Sequence, residues 1–160
     1  MVALYIALHD SGPALMATAT ALALLGIALH LSSITSFEML ALSDDYTTAT
    51  TDAQRTQLMA AGEAMLVRYE GTAFHLNYVV GGTVVPLMVS AVMLRSAIFN
   101  KITAWVGMLA AVANLGLYVP TVGVMLSVLA GVAFLIWYIL LGLRFRQLGK
   151  AGPPEGEGPE

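Results

Sequence analysis

Long apolar blocks alternate with short polar segments along this chain. Residues 11–37, 71–94 and 102–143 contain no Asp, Glu, Lys or Arg. A transmembrane helix needs about 20 mostly apolar residues, so each block is long enough to cross a bilayer. At 1.5 Å per residue the third block would form a helix of about 63 Å, roughly twice the thickness of the hydrocarbon core. It must therefore fold back once.

The break in the third block is predicted at residues 118–123, which read Tyr-Val-Pro-Thr-Val-Gly. Proline removes a backbone donor, and glycine relaxes the backbone. The pattern predicts an all-α fold, a polytopic membrane helix bundle formed by residues 1–150 as a single membrane domain. Pro86 is expected to kink the second span. Four transmembrane helices are predicted at about residues 13–37, 71–94, 102–119 and 122–143.

Residues 38–70 form the only extended polar region within this domain, with six acidic and two basic side chains. Thr51 and Gln54 have the spacing of a capping box, so a helix is predicted to start there and to run over about residues 52–70. Apolar residues recur along it at helical spacing, which predicts an outer amphipathic helix lying on the bundle or the bilayer surface. Asp44 and Asp45 are expected to form a turn before it.

The two ends of the chain have their own signatures. Residues 1–8 are apolar but too short to cross a bilayer, and the polar residues 9–13 follow them. We expect this segment to be the tail of a helix whose beginning is missing. Apart from one alanine, residues 151–160 are only Gly, Pro and Glu, a composition that predicts a disordered tail.

The basic residues indicate an orientation. Residues 95–101 and 144–150 hold five of the seven Lys and Arg side chains, and four spans place both segments on the same side. The positive-inside rule then predicts that both termini are cytoplasmic and that the acidic region lies outside.

Composition narrows the function classes. The chain is 58% apolar and 11% charged, against about 25% charged residues in soluble domains. A net charge of −3 gives no reason to expect a nucleic-acid partner, and zero cysteines exclude disulfides and thiolate chemistry. No Walker, zinc-protease, nucleophile-elbow or dinucleotide motif is present, so no cofactor is predicted.

Polar side chains near the outer end of the spans are the candidate site. Ionisable or polar groups inside a membrane are costly unless paired, and they are default functional candidates. Three interpretations stay open: hydrogen bonds that hold the helices together, a site for a head group or small ligand, and a metal or catalytic site. The first is favoured, and no metal ligands are assigned. The candidate residues are His30, Glu70, His75, Asn77, Tyr78 and Asn114.

Small residues at three places predict close helix packing. They are Gly81 with Gly82, Gly107 with Ala111, and Ser127 with Gly131.

Eight short motifs occur in a fixed order along the chain. They are Ala-Leu-Tyr at residues 3–5, Leu-Ser-Asp-Asp-Tyr at 42–46, Ala-Thr-Thr-Asp-Ala-Gln at 49–54, Ala-Ala-Gly-Glu-Ala at 60–64, Tyr-Glu-Gly-Thr at 69–72, Met-Leu-Arg-Ser at 93–96, Ala-Trp-Val-Gly at 104–107 and Trp-Tyr at 137–138, ahead of Arg144. In order and spacing, from about residue 3 to residue 149, they resemble a bacterial integral-membrane family known as domain of unknown function 4386. The resemblance implies a multi-pass protein of the bacterial inner (plasma) membrane, shortened at its N-terminus, and it supplies no catalytic residues.

The leading functional hypothesis is a non-enzymatic component of the lipid bilayer that associates through its helices, as a homo-oligomer or with a membrane partner subunit. An exposed apolar stripe on residues 54–69 would favour it. The alternative is a transporter-like or small-ligand-binding bundle that uses the outer polar cluster and needs an oligomer. An intramembrane enzyme comes third and would require His30 and His75 within reach of Glu70.

Overall fold

The computed structural model describes residues 1–150, and the regular secondary structure within them is entirely helical. Four helical stretches are long and apolar enough to cross a membrane, which confirms the predicted all-α class with four transmembrane helices. The predicted disordered tail, residues 151–160, lies outside the described residues. The four stretches are Pro13–Thr48, Asp52–Arg95, Lys101–Tyr118 and Gly123–Lys150.

Residues 1–150 contain eight α-helices, with short irregular turns between some of them. Helices of 3-10 type occupy His9–Ser11 and Leu115–Tyr118, and a π-helical turn occupies Val80–Val84. The α-helices are α1 (Val2–Leu8), α2 (Pro13–Ser33), α3 (Ser36–Thr48), α4 (Asp52–Tyr69), α5 (Thr72–Val79), α6 (Val85–Arg95), α7 (Lys101–Asn114) and α8 (Gly123–Lys150).

Helix α4 begins where the capping box predicts. The Gln54 backbone N–H donates to Thr51 Oγ1 at 3.2 Å, and the Thr51 N–H donates to Gln54 Oε1 at 3.3 Å. Each side chain thus satisfies a backbone donor that has no partner inside the helix. The predicted interruption between α7 and α8 is also present, since the 3-10 turn ends at Tyr118 and α8 starts at Gly123.

The polar segment before α4 is helical, and the predicted turn at Asp44 and Asp45 is therefore wrong. Both aspartates lie inside α3, and the Thr47 and Thr48 hydroxyls donate to backbone carbonyls of the preceding turn. Residues 38–42 (Glu-Met-Leu-Ala-Leu) are strong helix formers, and α3 also contacts α4. Helix α2 ends at Ser33 instead of residue 37, and α8 continues past residue 143 to Lys150.

The second span is irregular just before Pro86. A proline ring clashes with the carbonyl four residues earlier, here that of Gly82, and Val80–Val84 is the π-helical turn. Pro86 itself lies in the first turn of α6, which follows the π-helical turn without a break.

The chain divides into two compact units, and the first comprises residues 1–20 and 82–150. Within it α7 packs against both α6 and α8. Small side chains of α7 allow the three helices to approach closely, and larger side chains fill the remaining space. The buried side chains of this unit include Val89, Val92 and Met93 of α6, Ala104, Ala110 and Ala111 of α7, and Ala130, Trp137 and Leu141 of α8.

The second unit comprises residues 21–81. Its main tertiary feature is the α3–α4 hairpin, two helices joined by the three residues 49–51. A Cβ at Gly62 would lie 3.3 Å from Leu42 Cδ2, and Tyr46 Oη lies 4.0 Å from Met59 Sδ. Neither helix of this hairpin contains a buried residue.

Candidate functional site

Asn77 lies at a close crossing of backbones in the second unit. A Cβ at Gly26 would stand 3.1 Å from Asn77 Oδ1 and 3.3 Å from Gly81 Cα. At Gly81 it would stand 2.8 Å from the same Asn77 oxygen. A larger residue at either glycine would force its neighbours to shift, so the predicted packing role of Gly81 is confirmed.

His75 and Tyr78 belong to an aromatic group on α5. The Phe74 ring centroid lies 5.3 Å from that of His75 and 5.8 Å from that of Tyr78. Tyr69, at the end of α4, lies 5.7 Å from Phe74. These separations are typical of aromatic pairs, so the group stabilises the junction between α4 and α5.

His30 and Glu70 are both exposed and lie at the ends of their helices. The His30 carbonyl accepts hydrogen bonds from Ser33 Oγ and from the Ile34 N–H. Two residues before Glu70, Arg68 Nη2 donates to the Ser32 carbonyl at 3.4 Å. This contact brings together the last turns of α2 and α4, which carry these two candidate residues.

Asn114 belongs to the first unit and is buried. Its Nδ2 donates to Thr83 Oγ1 at 3.2 Å, which joins α7 to the π-helical turn. A Cβ at Gly82 would lie 2.8 Å from the same nitrogen. Asn114 therefore makes an interhelical hydrogen bond of the kind that the favoured interpretation of the cluster requires.

The small residues of the first unit divide into two groups. A Cβ at Gly107 would overlap Ser90 Oγ and Trp137 Nε1, which confirms packing at this position. A Cβ at Gly131 has no heavy atom within 4 Å, so the packing predicted at Gly131 is wrong within the described chain.

Two polar groups beside Gly107 were missed from the sequence. Ser90 Oγ and Trp137 Nε1 are buried and have no hydrogen-bond partner among the described residues. A lone serine and a lone tryptophan in apolar spans give no pattern that identifies such a pair. Buried polar atoms usually find a partner, so this pair is an unusual feature of the α6–α7–α8 contact.

Two surface pockets, here called hollows, were also not predicted from the sequence. One of about 510 Å³ lies on the α3–α4 hairpin near Asp45, Thr48 and Gln54. The other, of about 400 Å³, lies in the first unit beside Arg144. Within residues 1–150 no three His, Asp or Glu side chains are grouped so that they could hold a metal ion.

These features define an all-α, multi-pass membrane protein whose candidate polar residues are divided between its two units. No protein-family model, curated protein or solved structure matches the chain.

Proposed function

We propose that this protein is a non-enzymatic membrane component that binds a protein partner through the α3–α4 hairpin. The observation that carries the proposal is the combination of an ordered hairpin, the absence of buried residues from α3 and α4, and large apolar side chains on their surface. Lone exposed apolar residues are ordinary, but a set of them on one small helical hairpin indicates an interaction surface.

The exposed apolar side chains are numerous and large. Phe37 is 82% exposed and Val67 is 74% exposed. Met59 and Leu66 are seven residues apart, so they lie two turns apart on the same face of α4, with a glycine and a glutamate between them. We call this pair the exposed stripe. This stripe lies in residues 54–69, the segment in which an exposed stripe favours a partner-binding protein.

The charge of the hairpin indicates the chemistry of its partner. Six acidic and two basic residues lie between residues 38 and 70. Such a segment is too polar for the hydrocarbon core, and a second acidic copy would be repelled. The hairpin therefore suits a different protein that has basic side chains around an apolar groove.

We also propose which membrane holds the protein and on which side the hairpin lies. The family resemblance favours the bacterial inner membrane, and the basic residues at 95–101 and 144–150 favour cytoplasmic termini with the hairpin outside. A reporter fused after residue 150 and one inserted at residues 49–51 would report opposite sides of the membrane. Two reporters on the same side would contradict this topology.

Photo-crosslinking tests the partner surface directly. A photoreactive amino acid at Met59 or at Leu66 should form an adduct with the same protein in native membranes. Ala64 is a matched control, since it is exposed on the same helix about 140° around the axis from Met59. Adducts with lipid alone at Met59 and Leu66 would contradict the proposal, as would equal adducts at all three positions.

A further inference from the structure

One hollow in the first unit is lined by apolar side chains on one side and by polar side chains on the other. It has a volume of about 400 Å³ and lies between residues 97–100, the start of α7 and the last part of α8. Ile98, Leu140 and Leu143 form an apolar side, while Thr103 and Arg144 supply polar groups. A ligand that fits this hollow has a polar end and an apolar body.

Arg144 is held in a fixed orientation at this hollow. Its Nε donates to the Ile98 carbonyl, and its Nη1 donates to Gln147 Oε1 at 3.0 Å. The guanidinium has five N–H donors, so these bonds leave others for an anion. An oriented guanidinium is well suited to phosphate.

Thr103 and the start of α7 also line this hollow. Thr103 is only 6% exposed and its side chain lines the hollow. Helix α7 starts here, with Asn100 Oδ1 accepting from the Ile102 N–H at 3.0 Å. Asn100 and Arg144 both line the hollow, so the positive end of a 14-residue helix lies at its edge.

The charged residues around the hollow favour the binding of an anion. Residues 71–150 contain no Asp or Glu, whereas five Lys and Arg side chains lie in the two segments that flank the apolar block 102–143. Arg144 and Lys101 stand at the ends of that block, where a spanning chain meets the head groups. Basic pockets between helices at this level recognise anionic lipid head groups.

We propose that this hollow binds the phosphate of an anionic phospholipid, with an acyl chain along Leu140 and Leu143. Arg144 holds the phosphate, and the Thr103 hydroxyl donates a further hydrogen bond. This site is separate from the hairpin of the proposed function and does not depend on it.

The test uses the purified full chain, stripped of lipid in a neutral detergent. Native mass spectrometry with dioctanoyl phosphatidylglycerol should show one tightly bound lipid, and dioctanoyl phosphatidylcholine should bind far more weakly. Arg144→Gln should weaken phosphatidylglycerol binding about tenfold, as expected for a lost hydrogen bond to a charged group. Arg146→Gln removes the same charge from an exposed position two residues away and should leave binding nearly unchanged. Equal losses in the two variants would overturn the proposal, because they would indicate only diffuse attraction.

A second set of measurements keeps the test valid if Arg144→Gln does not fold. Ala97→Phe places a ring at the hollow without changing any charge and should also abolish the bound lipid, whereas unchanged binding would overturn the proposal. Glycerol 3-phosphate tests the free headgroup. Binding as tight as that of the lipid would assign the hollow to a soluble phosphate ester and overturn the lipid assignment.

Discussion

The α6–α7–α8 contact and the α3–α4 hairpin show two ways in which helices are stabilised in one chain. In the first, Gly107, Ala110 and Ala111 bring backbones close together, and Trp137 is buried against them. In the second, two helices have no buried residue and rely on a capping box and a few side-chain contacts. The first region thus has a buried core within the described chain, whereas the second has none, and it is this difference on which the proposed partner surface depends.

The largest expected effect comes from adding one methyl group at the tightest point of the first region. Gly107→Ala places a Cβ against Ser90 Oγ and Trp137 Nε1, and the forced shift should reduce the free energy of unfolding by about 1 to 3 kcal/mol. Gly131→Ala is the matched control, because its Cβ meets no atom within 4 Å. Unfolding in detergent measures both. Equal losses would show that α7 does not depend on a close approach at Gly107.

A smaller loss is expected when the buried hydrogen bond of Asn114 is removed. Asn114→Leu should reduce the free energy of unfolding by about 0.6 to 2 kcal/mol, the range for interhelical hydrogen bonds in membranes. A double-mutant cycle with Thr83→Val isolates the pair. A coupling energy of zero would contradict a structural role for this bond.

Removing the N-cap of α4 should reduce the stability of the α3–α4 hairpin alone. Thr51→Ala removes the acceptor for the Gln54 N–H and should cost about 1 kcal/mol of hairpin stability. Hydrogen exchange should then accelerate in α4 and stay unchanged in α7. Faster hydrogen exchange in both α4 and α7 would mean that the hairpin and α7 unfold as one cooperative unit.

The smallest effect on stability is expected on the exposed stripe. Leu66→Ser should change the free energy of unfolding of the purified protein by less than about 0.5 kcal/mol, because its side chain is not buried. Met59→Ser should cost only slightly more, because it loses one long contact, 4.0 Å from Tyr46 Oη. The same variants should lose the photo-crosslinked partner, measured with the photoreactive residue at the other stripe position. A large loss of stability would show that the stripe belongs to the protein's own core.

Much of the fold follows from sequence because membrane helices are specified by long one-dimensional signals. Charge-free blocks, the break before Gly123 and the Thr51 cap are all local patterns, and the structure contains each of them. Helix α3 was missed because the paired aspartates favoured a turn, although residues 38–42 (Glu-Met-Leu-Ala-Leu) are strong helix formers. The resemblance to domain of unknown function 4386 stays a prediction.

The candidate site was harder to predict than the fold. Polarity inside a span drew attention to Asn77 and Asn114, and in the structure both take part in helix contacts at glycines. The hollow beside Arg144 was missed because its residues come from two stretches, 97–103 and 140–147, that lie far apart in the sequence. Sequence spacing indicates which helix face a residue occupies, and it does not indicate which loop closes over that face.

The most direct test of the central claim uses the absence of cysteine from the chain. Single substitutions Met59→Cys, Leu66→Cys and Ala64→Cys allow the rate of maleimide labelling to be measured in native membranes and in liposomes that contain only the purified protein and extracted lipid. We expect labelling at residues 59 and 66 to be several-fold slower in native membranes, with residue 64 unchanged. Equal rates in both preparations at all three positions would contradict the claim that a partner covers the hairpin.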